Sequence, residues 1–193
     1  MEDKNTRQKL IDAAYEEIYS KGYQGASLND ILNNAGVHKG SMYYFFSSKK
    51  ELAIASITEK ISIRFLERYG FLATEDKGVL KKLISVLKDT SLRDFNRGCP
   101  LLNLVQEMSN LDSDFDVALR AVYSEFKTIL KSVLDRAVEV KELKPCDTMR
   151  LASFIIIVIE GAIFAAKASG DPQEYLSAIE ELSTLIDSLS FWR

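Results

Sequence analysis

The chain has 193 residues, 47% hydrophobic and 27% charged, with a net charge of −3, enough apolar material to bury a sizeable core without staples. Two cysteines, Cys99 and Cys146, stand at no metal-ligand or CxxC spacing, which argues against a disulfide framework and for a reducing cytoplasm. The start "MEDKNTRQKL" is polar, and the most apolar run, residues 151–166, is short for a span and contains Glu160, so neither a signal peptide nor a membrane partner is expected.

Pro occurs only at 100, 145 and 172, and no segment alternates as a strand would, so helix is expected throughout. The first helix is expected over 6–21, capped by Thr6, with Leu10, Ile11, Ala14 and Ile18 as its apolar stripe and Gly22 as a left-handed stop. A second opens at Ser27, where "SLND" is a capping pattern, points Leu28, Ile31 and Leu32 inward and ends at "NNAG". A short third carries 39–45. A fourth opens with the capping box "SKKE" at Ser48 and is expected to run to about residue 69. Further helices are expected near 77–95, 100–109, 114–142, 147–169 and 172–190, the last announced by the cap and N1 proline of "DPQE". The chain is thus divided near residue 48, into a small helical module over 1–47 and a bundle over 48–193.

Two short helices joined by a tight glycine turn make a helix-turn-helix, whose second helix would enter the major groove. Met42 and Phe46, four apart, share the face that would lock this helix to the core. His38, Lys39, Ser41, Tyr43 and Tyr44 are left for the other faces, and Gly40 permits close backbone approach. Lysine and tyrosine can bond phosphate oxygens, and a tyrosine ring can touch a thymine methyl. Residues 1–50 carry seven Lys/Arg and six Asp/Glu, and residues 38–50 hold three lysines and no carboxylate, a local cationic patch on an acidic body.

The segment "ASLNDILNNAGVHKGSMYYFFSSKKEL", residues 26–52, resembles the DNA-binding signature of the TetR family of bacterial transcriptional regulators. Ile31, Ala35, Gly36, Val37, Lys39, Gly40, Tyr43, Phe46, Lys49 and Leu52 stand in register. The preceding "TRQKLIDAAYEEIYSKGYQGAS" resembles the family's first helix. The resemblance implies an all-α protein: an N-terminal three-helix helix-turn-helix DNA-binding domain plus a C-terminal helical ligand-binding and dimerisation bundle. It implies phosphate contacts at Ser27, Tyr43 and Lys49, and base-edge or mixed contacts at Asn29, His38, Lys39, Ser41 and Tyr44. Its partners would be a palindromic double-stranded DNA operator, a small-molecule effector and a second copy of the chain, with no cofactor, metal or catalytic residue. His38, Tyr44, Phe45 and Ser47 depart from the family's usual Ser, His, Tyr and Pro, which changes the base contacts expected. Ser27 also caps its helix, and His38 could serve only as a cap.

In the bundle, "FIIIVIEGAIFAA" is apolar nearly all round and needs cover on more than one side. Gly161, Ala162, Ala165 and Ala166 would keep one side thin. With Leu176, Ile179, Leu182, Ile186 and Leu189 on the last helix, this matches the family's dimer helices. The segment "RGCPLLNLVQEMSNLDSDF" resembles one branch of the family. There Cys99 precedes a helix start, where free N–H groups and the dipole favour a thiolate, and some members sense electrophiles through such a cysteine. A small buried apolar residue is the plainer reading. An apolar or aromatic effector pocket is expected to draw on Phe65, Asn103, Gln106, Tyr123, Phe126 and Phe154, with Cys99 and Glu160 nearby. Glu160 could bind a cationic ligand, pair across an interface or point at water.

Two other classes stand beside the regulator. An enzyme would have one histidine, placed in the DNA-facing segment, and no metal or nucleotide motif. A helical adaptor that does not read DNA would have no use for the set Lys39, Tyr43 and Lys49. The resemblance favours a repressor released by its effector. The alternative within the family is an electrophile-sensing repressor acting through Cys99.

Overall fold

The computed structural model describes residues 2–191, with side chains from residue 5 onward. It is all-helical, and no strand occurs among the described residues, only an isolated antiparallel bridge between Leu143 and Ser190. Ten α-helices follow in order: α1 Glu2–Gly25, α2 Leu28–Ala35, α3 Lys39–Phe45, α4 Lys49–Ser56, α5 Ser62–Tyr69, α6 Val79–Lys88, α7 Pro100–Met108, α8 Ser113–Glu139, α9 Thr148–Ser169 and α10 Pro172–Leu189. The expected all-α class and helix order stand. The chain forms two compact units, Met1–Ile63 with Pro100–Tyr123, and Arg64–Cys99 with Ser124–Arg193.

In the first unit α1 packs against α2, α3, α4 and α7. Leu10, Ile11, Ala14 and Ile18 are buried as the stripe required. Two expectations about α1 are corrected. It begins at Glu2, so Thr6 lies inside the helix and is not its cap. Gly22 does not stop it in the left-handed helical region: its φ of 74° and ψ of 169° lie in a region essentially restricted to glycine, and the chain kinks there before a last turn. A side chain 84 residues from Tyr23 meets the freed backbone donors. The Glu107 carboxylate on α7 accepts from the backbone N–H of Tyr23 at 2.9 Å and of Gln24 at 2.8 Å, so the kink's donors are satisfied by an acid.

The fourth helix continues in phase to Tyr69, but it is interrupted. Ile57–Ile61 is a π-helical turn between α4 and α5, with Thr58 Oγ1 donating to the carbonyls of Ile54 and Ala55. At its start Ser48 accepts from the Glu51 N–H, while Glu51 takes the N–H and hydroxyl of Ser47 instead of closing the box on Ser48.

In the second unit α10 lies along α9 and also meets α6. The helix expected over 77–95 is only Val79–Lys88, followed by a 3-10 turn Thr90–Leu92. Its N-terminus is fixed by the buried Glu142 carboxylate, which accepts from the N–H of Gly78 and of Leu80. Helix α9 buries Ala152, Ile155, Ile156, Ile159, Ala162, Ile163 and Ala166. The small residues do not share one side: Ala162 and Ala166 face the core, while Gly161 is exposed. Among the described residues α9 alone has the length and hydropathy to cross a membrane, but its buried face packs within this unit.

Candidate nucleic-acid interface

The turn between α2 and α3 follows from sequence and hydrogen bonding. Ser27 accepts from the Asp30 N–H and starts α2. At its end Gly36 has φ 63°, its N–H bonds the Asn33 carbonyl, and the Val37 N–H bonds the Leu32 carbonyl. That pair of bonds closes a Schellman motif and turns the chain into α3.

Helix α3 has seven residues and buries only Met42, with Phe46 buried just after it. His38, Lys39, Gly40, Ser41, Tyr43 and Tyr44 are exposed. Tyr44 is 76% exposed, unusual for so large a ring on a helix. The His38 side chain makes no capping bond, so capping does not occupy the imidazole. A Cβ added at Gly40 would meet nothing within 4 Å. Nothing inside the chain therefore requires glycine there. Asn29 is exposed on α2, and Ser27 is half-buried.

The three lysines of the segment have different surroundings. Lys39 lies 5.8 Å from the Tyr43 ring centre. Lys49 donates to the Tyr23 carbonyl at 2.6 Å and lies 4.5 Å from that ring's centre. Burial pulls its pKa below the ordinary lysine value, against the pull of Glu107 and Glu17. Lys50 is held by Asp114 at 2.5 Å and Asp112 at 2.9 Å, bonds that push its pKa up. Sequence spacing shows three cations in one short segment; only the fold shows that two of them also bond within the protein. The acids concerned, Glu107 and Asp112, lie far along the chain and carry no local signal.

The residues expected around an effector are divided between the two compact units. Phe65 and Phe126 stack with centroids 4.0 Å apart, and Tyr69 stacks on Phe126 at 5.6 Å. Cys99 is buried and its thiol donates to the Glu160 carboxylate. Burial pushes the Glu160 carboxyl above its ordinary value, against the Cys99 bond and the Arg93 charge, and one of its oxygens is buried without a partner. A buried, hydrogen-bonded thiol has the surroundings of a packed core group. Phe154 is exposed on α9. Asn103, Gln106 and Tyr123 belong to the other compact unit, where Gln106 and Tyr123 are exposed.

A helix-turn-helix with an exposed second helix, followed by a helical bundle, is the arrangement of a DNA-binding regulator. Residues 10–55 match the model of the bacterial regulatory proteins of the tetR family, and residues 79–182 match that of the tetracyclin repressor-like C-terminal domain. An HTH-type transcriptional regulator in the lacX 3' region of Lactococcus lactis subsp. lactis is 30% identical over 96% of this chain and 95% of its own. The crystal structure of regulatory protein TetR from Rhodobacter sphaeroides is 30% identical with a TM-score of 0.78, covering 92% of this chain and 96% of its own. The reduced form of NemR from E. coli shares the fold, with a TM-score of 0.84 at 21% identity over 97% of this chain and 98% of its own. The chain belongs to the TetR family and is a DNA-binding transcriptional regulator.

Proposed function

We propose that a homodimer formed through α9 and α10 sets two copies of α3 into major grooves of a palindromic operator, represses from there in the cytoplasm, and is released by a small molecule bound in the C-terminal half. Residues 1–47 act as the reading head and 48–193 carry the effector and dimer functions. Tyr43 and Ser27 serve the phosphates, with Lys49 through the ammonium donors that the Tyr23 carbonyl leaves over; Asn29, His38, Lys39, Ser41 and Tyr44 face base edges. The observation that carries this reading is α3 itself, which offers the solvent every side chain but Met42 and half-buried Phe45, together with a glycine that nothing in the chain requires.

The dimer is supported by α9. Phe154, Ile157, Gly161 and Phe164 form an exposed stripe, and Leu185 is exposed on α10. Apolar rows of this kind mark interfaces. A Cβ at Gly161, as at Gly40, meets nothing within 4 Å, which suits close approach of a second helix. The test is selection of bound duplexes from a random library, followed by footprinting. Two protected half-sites about one helical turn apart, or a multiple of it, are expected; protection of an isolated half-site by a monomer would overturn the reading.

A further inference from the structure

Helix α5 and the turn after α6 build a groove of about 510 Å³ in the second unit, outside the aromatic stack of Phe65 and Phe126. Arg64 and Arg68, one turn apart on α5, line it together with Arg93. Both α5 arginines donate to a single carbonyl, that of Leu92, at 3.0 Å from Arg64 and 2.5 Å from Arg68. Two guanidinium groups therefore crowd one neutral oxygen. Arg93 lies 4.6 Å from the centre of the buried Tyr175 ring and donates to the Tyr69 hydroxyl at 3.4 Å, while its Nε is buried with no partner. Among the described residues neither Arg68 nor Arg93 has a carboxylate within ion-pair distance. Burial lowers the Arg68 pKa, and Arg93 and Arg64 push the same way.

The acids nearby form no ion pair with Arg68 or Arg93. Asp94 is taken by the N–H and Nε of Arg97. Asp89 is held ionised by the Ser91 N–H and hydroxyl and feels Arg68 and Arg93, but it forms an ion pair with neither. Glu160 feels Arg93, and burial pushes it toward its neutral form. Glu67 also lines the groove and is exposed. Arg68 and Arg93, converging without an ion-paired carboxylate, are costly to hold together, and a guanidinium fork matches the paired oxygens of a carboxylate or phosphate.

We propose that this groove is an anion site, in which Arg64, Arg68 and Arg93 take the carboxylate or phosphate group of a small organic molecule. The proposal deepens the effector reading above and needs it only for the consequence on DNA, not for binding. Calorimetric titration of the full chain, free of DNA, with hexanoate, phenyl phosphate and inorganic phosphate decides between the sources, with hexanamide as the neutral control. At least one anion binds saturably and hexanamide does not. Arg68→Gln and Arg93→Gln each weaken it about tenfold or more, the loss of one charge-assisted bond. Arg93→Lys, which keeps the charge and loses the fork, recovers part of the affinity. Circular dichroism checks the fold; if the Arg93 variants unfold, Arg68→Gln and Arg64→Gln decide. No saturable binding of any of the three anions below about 10 mM, or unchanged affinity in folded variants, overturns the site. Operator affinity is measured separately. An anion that binds without changing it leaves the site standing and removes its role as effector site.

Discussion

Helices α3 and α9 both hold large rings and a bare glycine in the solvent, but with opposite chemistry. On α3 the rings come with hydroxyls, an ammonium and an imidazole, at Tyr43, Tyr44, Ser41, Lys39 and His38. Along the exposed stripe of α9 they come with nothing polar: Phe154, Ile157 and Phe164 flank Gly161. A hydrated polyanion rewards the first pattern through bonds to phosphates and base edges. Only a dry, matching surface rewards the second. Exposed aromatic area alone therefore says little about a partner; the polar atoms beside it decide.

The sharpest way to break the comparison is to put a charge on α9. Phe164→Asp should raise the dimer dissociation constant by about 10²–10³, since a charge buried unpaired costs roughly 3–4 kcal/mol. Sedimentation equilibrium reads this directly, and operator affinity should fall with it. The same substitution in an obligate monomer would leave association unchanged.

Next in size is Gly22→Ala, which touches neither partner surface. A side chain is strained at its φ and ψ, and the new Cβ would come 2.7 Å from the Glu107 carboxylate. A loss of about 1–3 kcal/mol is expected, seen in chemical denaturation. Adding Glu107→Ala should cost less in this background than in the wild type, because the clash is then gone.

Gly40→Ala separates the two kinds of glycine use. With nothing to clash with, alanine should leave stability equal or raise it by up to about 1 kcal/mol, while operator binding weakens. Gly161→Ala should likewise hold or raise the stability of the unit and weaken the dimer. Equal or better DNA binding by the Gly40 variant would remove close approach as its role.

The smallest effect is one of pH. Burial raises the Glu160 pKa in the folded state, so the native protein holds that proton more tightly than the unfolded chain does. The group's stabilising share is complete below the ordinary carboxylate value and is lost as pH rises through the raised folded value. Glu160→Gln, which cannot ionise, should match the wild type in acid and melt higher at neutral pH. A constant difference across that window would mean that the carboxyl is not the titrating group.

The sequence by itself determined the all-helical order and the helix-turn-helix. Caps, glycine stops and 3.6-residue stripes act over a few residues, so Ser27, Gly36, Met42 and Phe46 could be placed without a structure. The family signature named the class because many residue types agree at fixed spacing. Tertiary structure alone decided how the cations are used. Lys49 meets Tyr23, Lys50 meets Asp112 and Asp114, and Glu107 meets the kink at Gly22, across sequence distances that no periodicity records. The π-helical turn at Ile57–Ile61 was equally hidden, because Ile54, Ile57, Ile61 and Phe65 follow at the three- and four-residue spacing that an uninterrupted α-helix also shows. The arginine groove needed the fold as well: Arg64 and Arg68 are neighbours in sequence, but Arg93 joins them only when the turn after α6 brings it to the same groove, and charge crowding depends on distance in space.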